Sequence, residues 1–349
     1  MLTQLQLREF RCFAVLDVRL TSGFNFFVGA NGEGKTSILE AACVLLRLQS
    51  QRSSSLAPVV RAGAKAFSVR GTLDDHSLEF QYGGLHRHLR FDQVEQRTAT
   101  EYLRLARVVS FANTDMEIVR GGSEARRRYL DFLGAQMDPR YRPILRAYER
   151  ALRSRNALLK SAQPRPRELA AYDEPLVRHG TELGLLRAGL VERLAPLAAA
   201  AHADIAAAEE KLDLYFAPGN ESDFAAHLAR SRPHEERLRQ TVVGPHRDDI
   251  ELFVEGMAAQ SYSSEGQQRT LALALKLGQA RLLGEHGQPP LLLIDDIFGE
   301  LDPGRRNALL AALAVDGQKL VTATSLQWRE KPEAAPVWGL RDRQWHRLD

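Results

Sequence analysis

The octapeptide Gly29-Ala30-Asn31-Gly32-Glu33-Gly34-Lys35-Thr36 fills the complete G-x-x-x-x-G-K-[ST] pattern. No other stretch limits so strongly the folds open to this chain, because such a loop needs a strand leading in and a helix leading out. Phe24-Asn25-Phe26-Phe27-Val28 directly upstream supplies strand formers, and a helical pattern runs from about Lys35 to Gln49. Backbone N–H groups from Asn31 to Thr36 then ring a β-phosphate at the positive end of that helix. Gly32 and Gly34 provide the positive φ angles that the turn requires. Lys35 is placed to bridge the β- and γ-oxygens of ATP, and the Thr36 hydroxyl, beside Ser37, to ligate Mg²⁺.

A phosphate loop of this kind calls for an acidic strand, and Leu291-Leu292-Leu293-Ile294-Asp295-Asp296 provides it. Asp295 sits where a carboxylate holds Mg²⁺ through water. By strand alternation Asp296 points to the opposite side of the strand end, where it orients or deprotonates an attacking water. Aspartate is one methylene shorter than glutamate, which predicts slow hydrolysis. Asp296 and Lys35 are therefore the expected catalytic pair.

Between these two motifs lies Ser263-Ser264-Glu265-Gly266-Gln267-Gln268, opening a long helix 24 residues before the acidic strand. Ser264, Gly266, Gln267 and the helix N-terminus make an anion site. Gly299-Glu300-Leu301-Asp302 follows the acidic strand.

The 349 residues suffice for one large or two ordinary domains. Charge is nearly balanced, 47 basic against 44 acidic for a net +3, so any nucleic-acid surface must be local. Residues 120–170 carry 13 Lys/Arg against 5 Asp/Glu, a net +8, which leaves −5 for the remainder. Few aromatics interleave there, which favours duplex backbone contact over base stacking. Arg126, Arg127, Arg128, Arg140 and Arg142 are the candidate DNA contacts. Cys12 and Cys43 form no C-x-x-C pair and are expected as buried thiols in a reducing cytosol. Neither a signal peptide nor a run of about 18 apolar residues is present, so the expected location is cytoplasmic, with no membrane partner.

The pattern predicts strands at 2–7, 15–20 and 24–29, then hairpin strands at 66–73, 77–82 and 86–91, then a buried strand at 105–111. From Ser123 to about Arg239 the Ala-, Leu-, Arg- and Glu-rich sequence predicts helices, punctuated by Pro164 and Pro166, with Pro218-Gly219-Asn220 ending one. The Ala-rich stretch near 195–208 predicts close helix–helix packing. No sustained heptads occur, which excludes a long coiled coil. A strand at 249–254, helix 266–283, strand 290–294, helix 302–314, strand 319–323 and small strands near 336–347 complete the chain as a βαβ return. The expected segments are an ATPase lobe at 1–122, a helical lobe at 123–240, a signature segment at 241–285 and a return to the first lobe at 286–349.

The order of these motifs resembles the ABC ATPases, in which a signature serine completes the γ-phosphate shell of the partner subunit's ATP. Gly299-Glu300-Leu301-Asp302 stands where that superfamily has its D-loop, so Asp302 joins the nucleotide-binding candidates. Within the superfamily the chain resembles the RecF family. Phe10-Arg11-Cys12-Phe13 is similar to the early turn of RecF and SMC-like heads, which adds Arg11 to the site. Arg126-Arg127-Arg128-Tyr129-Leu130-Asp131 and Gly244-Pro245-His246-Arg247-Asp248-Asp249 are similar to RecF motifs, and transporter cassettes lack the second. His246 and Arg247 fit a structural turn equally well. The 228 residues from Thr36 to Ser264 exceed a transporter cassette's spacing and fall far short of the coiled-coil insertions of SMC proteins.

The chain departs from the pattern in two places. Glu265 replaces the signature's first glycine, and Thr322-Ala323-Thr324 stands where a switch histidine is usual. Asn113 or Asp115 is the nearest Q-loop equivalent. The fold expected is α/β, an ABC-type ATPase head with a P-loop core and an antiparallel β subdomain, plus a helical lobe. The resemblance implies an ATP-dependent homodimer on duplex DNA beside single-stranded gaps, without sequence specificity. It implies weak DNA-dependent ATP hydrolysis with Mg²⁺, and work with RecR and RecO to load RecA. A transporter cassette, an SMC-type DNA-end-processing head and a binding module with a dead ATP site are the rivals.

Overall fold

The computed structural model describes the chain except residues 54, 85, 162–165, 207–209, 286, 314–316, 329–334, 342–343 and 349, and the side chains of Leu340, Arg341 and Gln344. Pro164, the last two residues of the Ala-rich stretch and the last residue of the expected helix 302–314 lie outside the described residues. Two compact units form, Met1–Thr114 with Ala280–Asp349 and Asp115–Gln279.

The first unit holds two six-stranded sheets. β1 (Leu2–Phe10), β2 (Phe13–Arg19), β3 (Phe24–Val28), α1 (Lys35–Arg47), β4 (Phe67–Leu73), β5 (His76–Gly83), β6 (His86–Phe91), β7 (Val94–Glu95) and β8 (Val108–Ala112) come before the second unit. The antiparallel sheet runs β2-β1-β4-β5-β6-β7. Its register, with Leu5 opposite Val18 and Gly71, turns Leu2, Leu5 and Leu7 inward.

The second unit contains α2 (Glu117–Arg120), α3 (Ser123–Met137), α4 (Tyr141–Leu159), α5 (Pro166–Ile205), β9 (Leu212–Ala217), α6 (Phe224–Leu238), β10 (Asp249–Val254), β11 (Met257–Ala258), α7 (Ala259–Tyr262) and α8 (Glu265–Gly284) up to Gln279. The chain then returns to the first unit with β12 (Leu291–Asp295), α9 (Pro303–Leu313), β13 (Lys319–Ala323), β14 (Val337–Arg341) and β15 (Gln344–Arg347). The second sheet of the first unit has the order β15-β14-β3-β13-β12-β8, parallel except for β15. Parallel strands buried on both faces read as apolar runs, unbroken in Leu291–Ile294 and broken only by the buried Ser110 in Val108–Phe111.

α1 packs against both sheets of its unit. It is apolar nearly all round, and such a helix belongs inside a core. One acid, Glu40, sits in its middle with no exposure. Arg11 compensates it with two hydrogen bonds, of 2.7 Å from Nε and 2.6 Å from Nη2, and Ser50 Oγ donates a third of 2.5 Å.

Two expectations for the middle of the chain need correction. Leu212–Ala217 is a strand, not helix, and Pro218-Gly219 follows it. β9 pairs antiparallel with β10, Leu214 opposite Leu252, in a sheet ordered β11-β10-β9. Its alternation was masked by the surrounding helical composition, and the partner that makes it a strand lies over 30 residues away. The Ala-rich stretch does mark a close approach: a side chain on Gly278 would meet the Ala198 backbone at 2.8 Å. α5 and α8 therefore touch nearly backbone to backbone.

The tail of the basic segment is less free than its composition suggests. Arg155 and Glu235 are both fully buried and bond at 2.5 Å, with Asp173 and Thr241 taking further Arg155 donors. Arg187 donates to Asp131, Asp248 and the Pro245 carbonyl. His246 Nε2 donates to the Thr241 carbonyl at 2.9 Å, so Nδ1 accepts from the Tyr148 hydroxyl at 2.7 Å. The Gly-Pro-His-Arg-Asp-Asp segment is thus a structural turn, at least through His246, Asp248 and Asp249.

Candidate nucleotide site

β3, β13 and β12 run parallel, and their carboxyl ends meet the turn before α1. Open α/β sheets place ligands at this edge. A cavity of about 610 Å³ opens there, lined by Arg11, Asn31, Lys35, Thr36, Asp295 and Asp296 among others. Another cavity, of about 650 Å³, opens at the opposite ends of the same strands, by Gly23, Leu291 and Lys319, away from the phosphate loop.

Gly34, the N-cap of α1, has φ +94°, and a Cβ there would stand 2.5 Å from Cys12 Sγ and 2.7 Å from the Phe13 ring. Both left-handed backbone and lack of space demand glycine. Contrary to the expectation of two buried thiols, only Cys43 is buried, and Cys12 is exposed at the cavity. Lys35 Nζ donates to the carbonyls of Gly29 at 2.6 Å and Ala30 at 2.9 Å, which stretches the side chain back across the loop mouth.

Thr36 Oγ1 donates to Asp295 Oδ1 at 2.8 Å. Thr322 Oγ1 donates to the same oxygen at 2.7 Å and accepts the Asp296 N–H at 3.0 Å. Thr322 is thus a clamp on both carboxylate residues. In the sequence this role has only one trace, a threonine within the otherwise apolar run Leu320–Ala323. Asp296 lies beyond the strand with φ 51° and lines the same cavity as Asp295. The alternation expected to send it to the other side ends with the strand. Partial burial and the Asp295 charge raise the Asp296 carboxyl above the ordinary range, while Lys35 and the Thr324 backbone draw it down less strongly. A raised carboxylate facing a phosphate site suits a general base.

Thr36 and Asp295 are hard oxygen donors already in contact, which fits Mg²⁺. No cluster of three or more His, Cys, Asp or Glu suited to a metal exists among the described residues. The ion would take its other ligands from phosphate and water, as Mg²⁺ usually does.

Arg11, between β1 and β2, lines this cavity with its guanidinium anchored by Glu40 and by a 2.7 Å bond to the Pro58 carbonyl. Asp302 caps α9, its Oδ1 accepting the Arg305 N–H at 3.0 Å ahead of Pro303. Asn113 Nδ2 donates to Glu300 Oε1 at 2.6 Å, joining the end of β8 to the turn that follows β12. The other Q-loop candidate, Asp115, pairs with Lys276 at 3.2 Å.

The signature residues lie in the second unit. Ser264 and Gln267 form a reciprocal capping box: the Ser264 N–H donates to Gln267 Oε1 at 2.8 Å and the Gln267 N–H to Ser264 Oγ at 3.3 Å. Because Ser264 Oγ accepts in this box, its O–H remains a donor. Gln267 Nε2 is fixed by Glu210 at 2.8 Å. Glu265 is exposed and has Arg269 at 3.4 Å, which offsets its charge.

The candidate DNA arginines fare unevenly. Arg126 is buried and donates to both oxygens of Asp249, at 2.5 and 2.9 Å, so it is no surface contact. Arg127 donates to the Asp248 carbonyl, Arg128 pairs with Glu124 and Arg140 with Asp138. Arg142 lies on α4.

The RecF/RecN/SMC N-terminal domain family matches residues 1–335. The chain is 38% identical to a protein named DNA replication and repair protein RecF from Symbiobacterium thermophilum, over 93% of this chain and 92% of that one. A protein of the same name from Gloeothece citriformis is 35% identical, with 93% of each covered. Among solved structures, the recombination mediator protein RecF with ATP, of the RecFOR pathway, matches with TM-score 0.90 at 28% identity, over 100% of this chain and 97% of that one. An Smc head bound to the C-winged helix domain of ScpA shares the fold, with TM-score 0.56 at 15% identity over 99% and 96% of the two chains.

Proposed function

This chain belongs to the RecF/RecN/SMC N-terminal domain family, and we propose that it is an ATP-binding recombination mediator whose ATP joins two copies head to head on duplex DNA. The observation that carries this is the meeting of Thr36, Asp295 and Asp296 beside Lys35 in one cavity, with the buried Thr322 bonded to Asp295. In this reading the backbone of Asn31 to Thr36 cradles the phosphates, and Lys35 leaves the Gly29 and Ala30 carbonyls for the β- and γ-oxygens. Thr36 and Asp295 hold Mg²⁺, which neutralises charge on the phosphates. Ser264, capped with its O–H free to donate, supplies the γ-phosphate contact from the opposite copy, with Gly266, Gln267 and the Asp302 loop at the same seam.

Hydrolysis forms a bond between water oxygen and the γ-phosphorus and breaks the bond to the β-bridging oxygen. Asp296 takes the water's proton. A short aspartate in this position, with no histidine at the switch, supports slow turnover, which resets the dimer. Duplex DNA beside a gap, RecR, RecO and RecA are the proposed partners, from the name the relatives share and the pathway named for the solved structure.

Sedimentation with and without Mg-ATP tests the shared site. Wild type should pass from monomer to dimer, and Ser264→Arg should bind ATP yet stay monomeric. Wild type that stays monomeric with bound ATP refutes the trans role of Ser264.

A further inference from the structure

The exposed side of α4 is a basic stripe. Taking 100° per residue, Arg142, Arg146, Arg150, Arg153 and Lys160 fall within about 80° of one another around the helix. The buried residues Tyr141, Ile144, Tyr148, Ala151, Arg155 and Leu159 occupy the opposite side. Only one acid, Glu149, shares the stripe, and it pairs with Arg153 at 3.6 Å. Arg146, Arg150 and Lys160 are exposed and pair with no carboxylate among the described residues. That separates them from Arg126, Arg128 and Arg140, whose charge is offset by Asp249, Glu124 and Asp138.

Uncompensated like charges along one helix repel each other, by a few tenths of a kcal/mol per i,i+4 pair. A surface that keeps them gains when a polyanion neutralises them. From Arg146 to Lys160 the stripe is about 21 Å long, enough to follow roughly six base pairs of duplex axis. No large apolar side chain of α4 is exposed, so the helix lacks the face that an interfacial membrane helix buries. It exposes no aromatic ring on which a base would stack.

We propose that the α4 stripe, through Arg146, Arg150, Arg153 and Lys160, is a seat for the phosphate backbone of duplex DNA. This rests on the DNA-binding reading above and moves its contacts away from the Arg126–Arg128 cluster. The contact is to phosphates and carries no sequence preference.

The test is duplex binding by fluorescence anisotropy over a salt series, using full-length protein with Mg-ATP. Arg146→Ala, Arg150→Ala and Lys160→Ala combined should weaken binding about tenfold or more near 0.15 M salt. Each lost phosphate contact lowers the slope of log affinity against log salt by about 0.9, so the combined variant should lose roughly two to three. Arg8→Ala, Arg19→Ala and Arg97→Ala, which remove the same charge from exposed sites of the first unit, should leave the slope unchanged. Restoring charge with Arg146→Lys and Arg150→Lys should retain binding. An unchanged slope in the α4 variant, or an equal loss in the control, overturns the proposal while leaving DNA binding intact. Loss of binding to phosphatidylserine vesicles with duplex binding unaltered also overturns it. Wild type that fails to bind duplex at all refutes the DNA reading itself.

Discussion

Thr36 and Asp295 lie 259 positions apart in the chain and bond at 2.8 Å, the hydroxyl of a helix's first turn donating to the carboxylate at a strand's end. The carboxylate oxygen that accepts this bond also accepts one from Thr322, so its orientation is set from two neighbouring elements. Removing the second support tests it without touching the expected metal ligands. Thr322→Val keeps the shape and deletes both the donor to Asp295 and the acceptor for the Asp296 N–H. Loss of such a supporting contact costs about 10–100-fold in metal affinity or activity. Mg²⁺-dependent ATP turnover should fall by that factor; a rate within twofold of wild type would sink the clamp assignment.

Asp296→Asn should retain ATP binding and ATP-driven dimerisation while turnover drops about 10²-fold or more, the range for loss of a general base. The base works only when deprotonated, and partial burial raises its pKa. Acidification should therefore lower the wild-type rate from a higher pH than an ordinary aspartate would require. The residual rate of the variant should lack that acidic limb. Single-turnover hydrolysis across pH reads both.

Gly34→Ala should abolish nucleotide binding. A methyl group would collide with Cys12 Sγ at 2.5 Å and would sit on backbone at φ +94°, an unfavourable region for alanine. The companion Gly32→Ala meets nothing within 4 Å and carries only the backbone penalty at φ +87°. Isothermal titration with ATP should rank Gly34→Ala well below Gly32→Ala; the reverse order would contradict the packing.

Glu235→Ala leaves Arg155 buried with its shortest partner gone. Breaking a buried pair from one side costs about 3–5 kcal/mol. Replacing both at once, Arg155→Met with Glu235→Leu, should cost less than the single change, because no buried charge is orphaned. Urea denaturation gives the comparison, and a double variant less stable than Glu235→Ala would refute it.

Burial holds the His246 ring neutral, pushing its pKa down to about 4, with Arg247, Arg127 and Arg155 adding like charge. The unfolded chain takes up this proton near pH 6.5. Between those values the unfolded state binds more protons, so stability falls on acidification, by up to about 1.4 kcal/mol per pH unit from this residue. It is fully present above about pH 6.5. His246→Gln should flatten that part of the stability curve, and an unchanged slope would show that other groups produce it.

The nucleotide half of the site was legible in the chain because its parts are contiguous. Phe24–Thr36 and Leu291–Asp296 each combine a strand and its chemistry within a few residues, where local backbone geometry fixes the outcome. The capping box of Ser264 and Gln267 is also a local S-x-x-Q pattern, but the sequence was read there only as an anion site. Strand Leu212–Ala217 was not legible, because a short alternating run becomes a strand only when Leu252 and its neighbours pair with it.

Charge is where tertiary structure decided most. Sequence counts thirteen cations between 120 and 170 but cannot tell a buried guanidinium from a free one. Arg126 and Arg155 find carboxylates more than 75 positions away, Asp249 and Glu235, whereas Arg146 and Arg150 find none among the described residues. The same holds for Asp296, whose direction the strand period predicted wrongly once the backbone left the strand at φ 51°. Local backbone preferences act over a few residues and survive in the sequence; long-range pairing of charges depends on which elements the fold brings together, and only the folded chain specifies it.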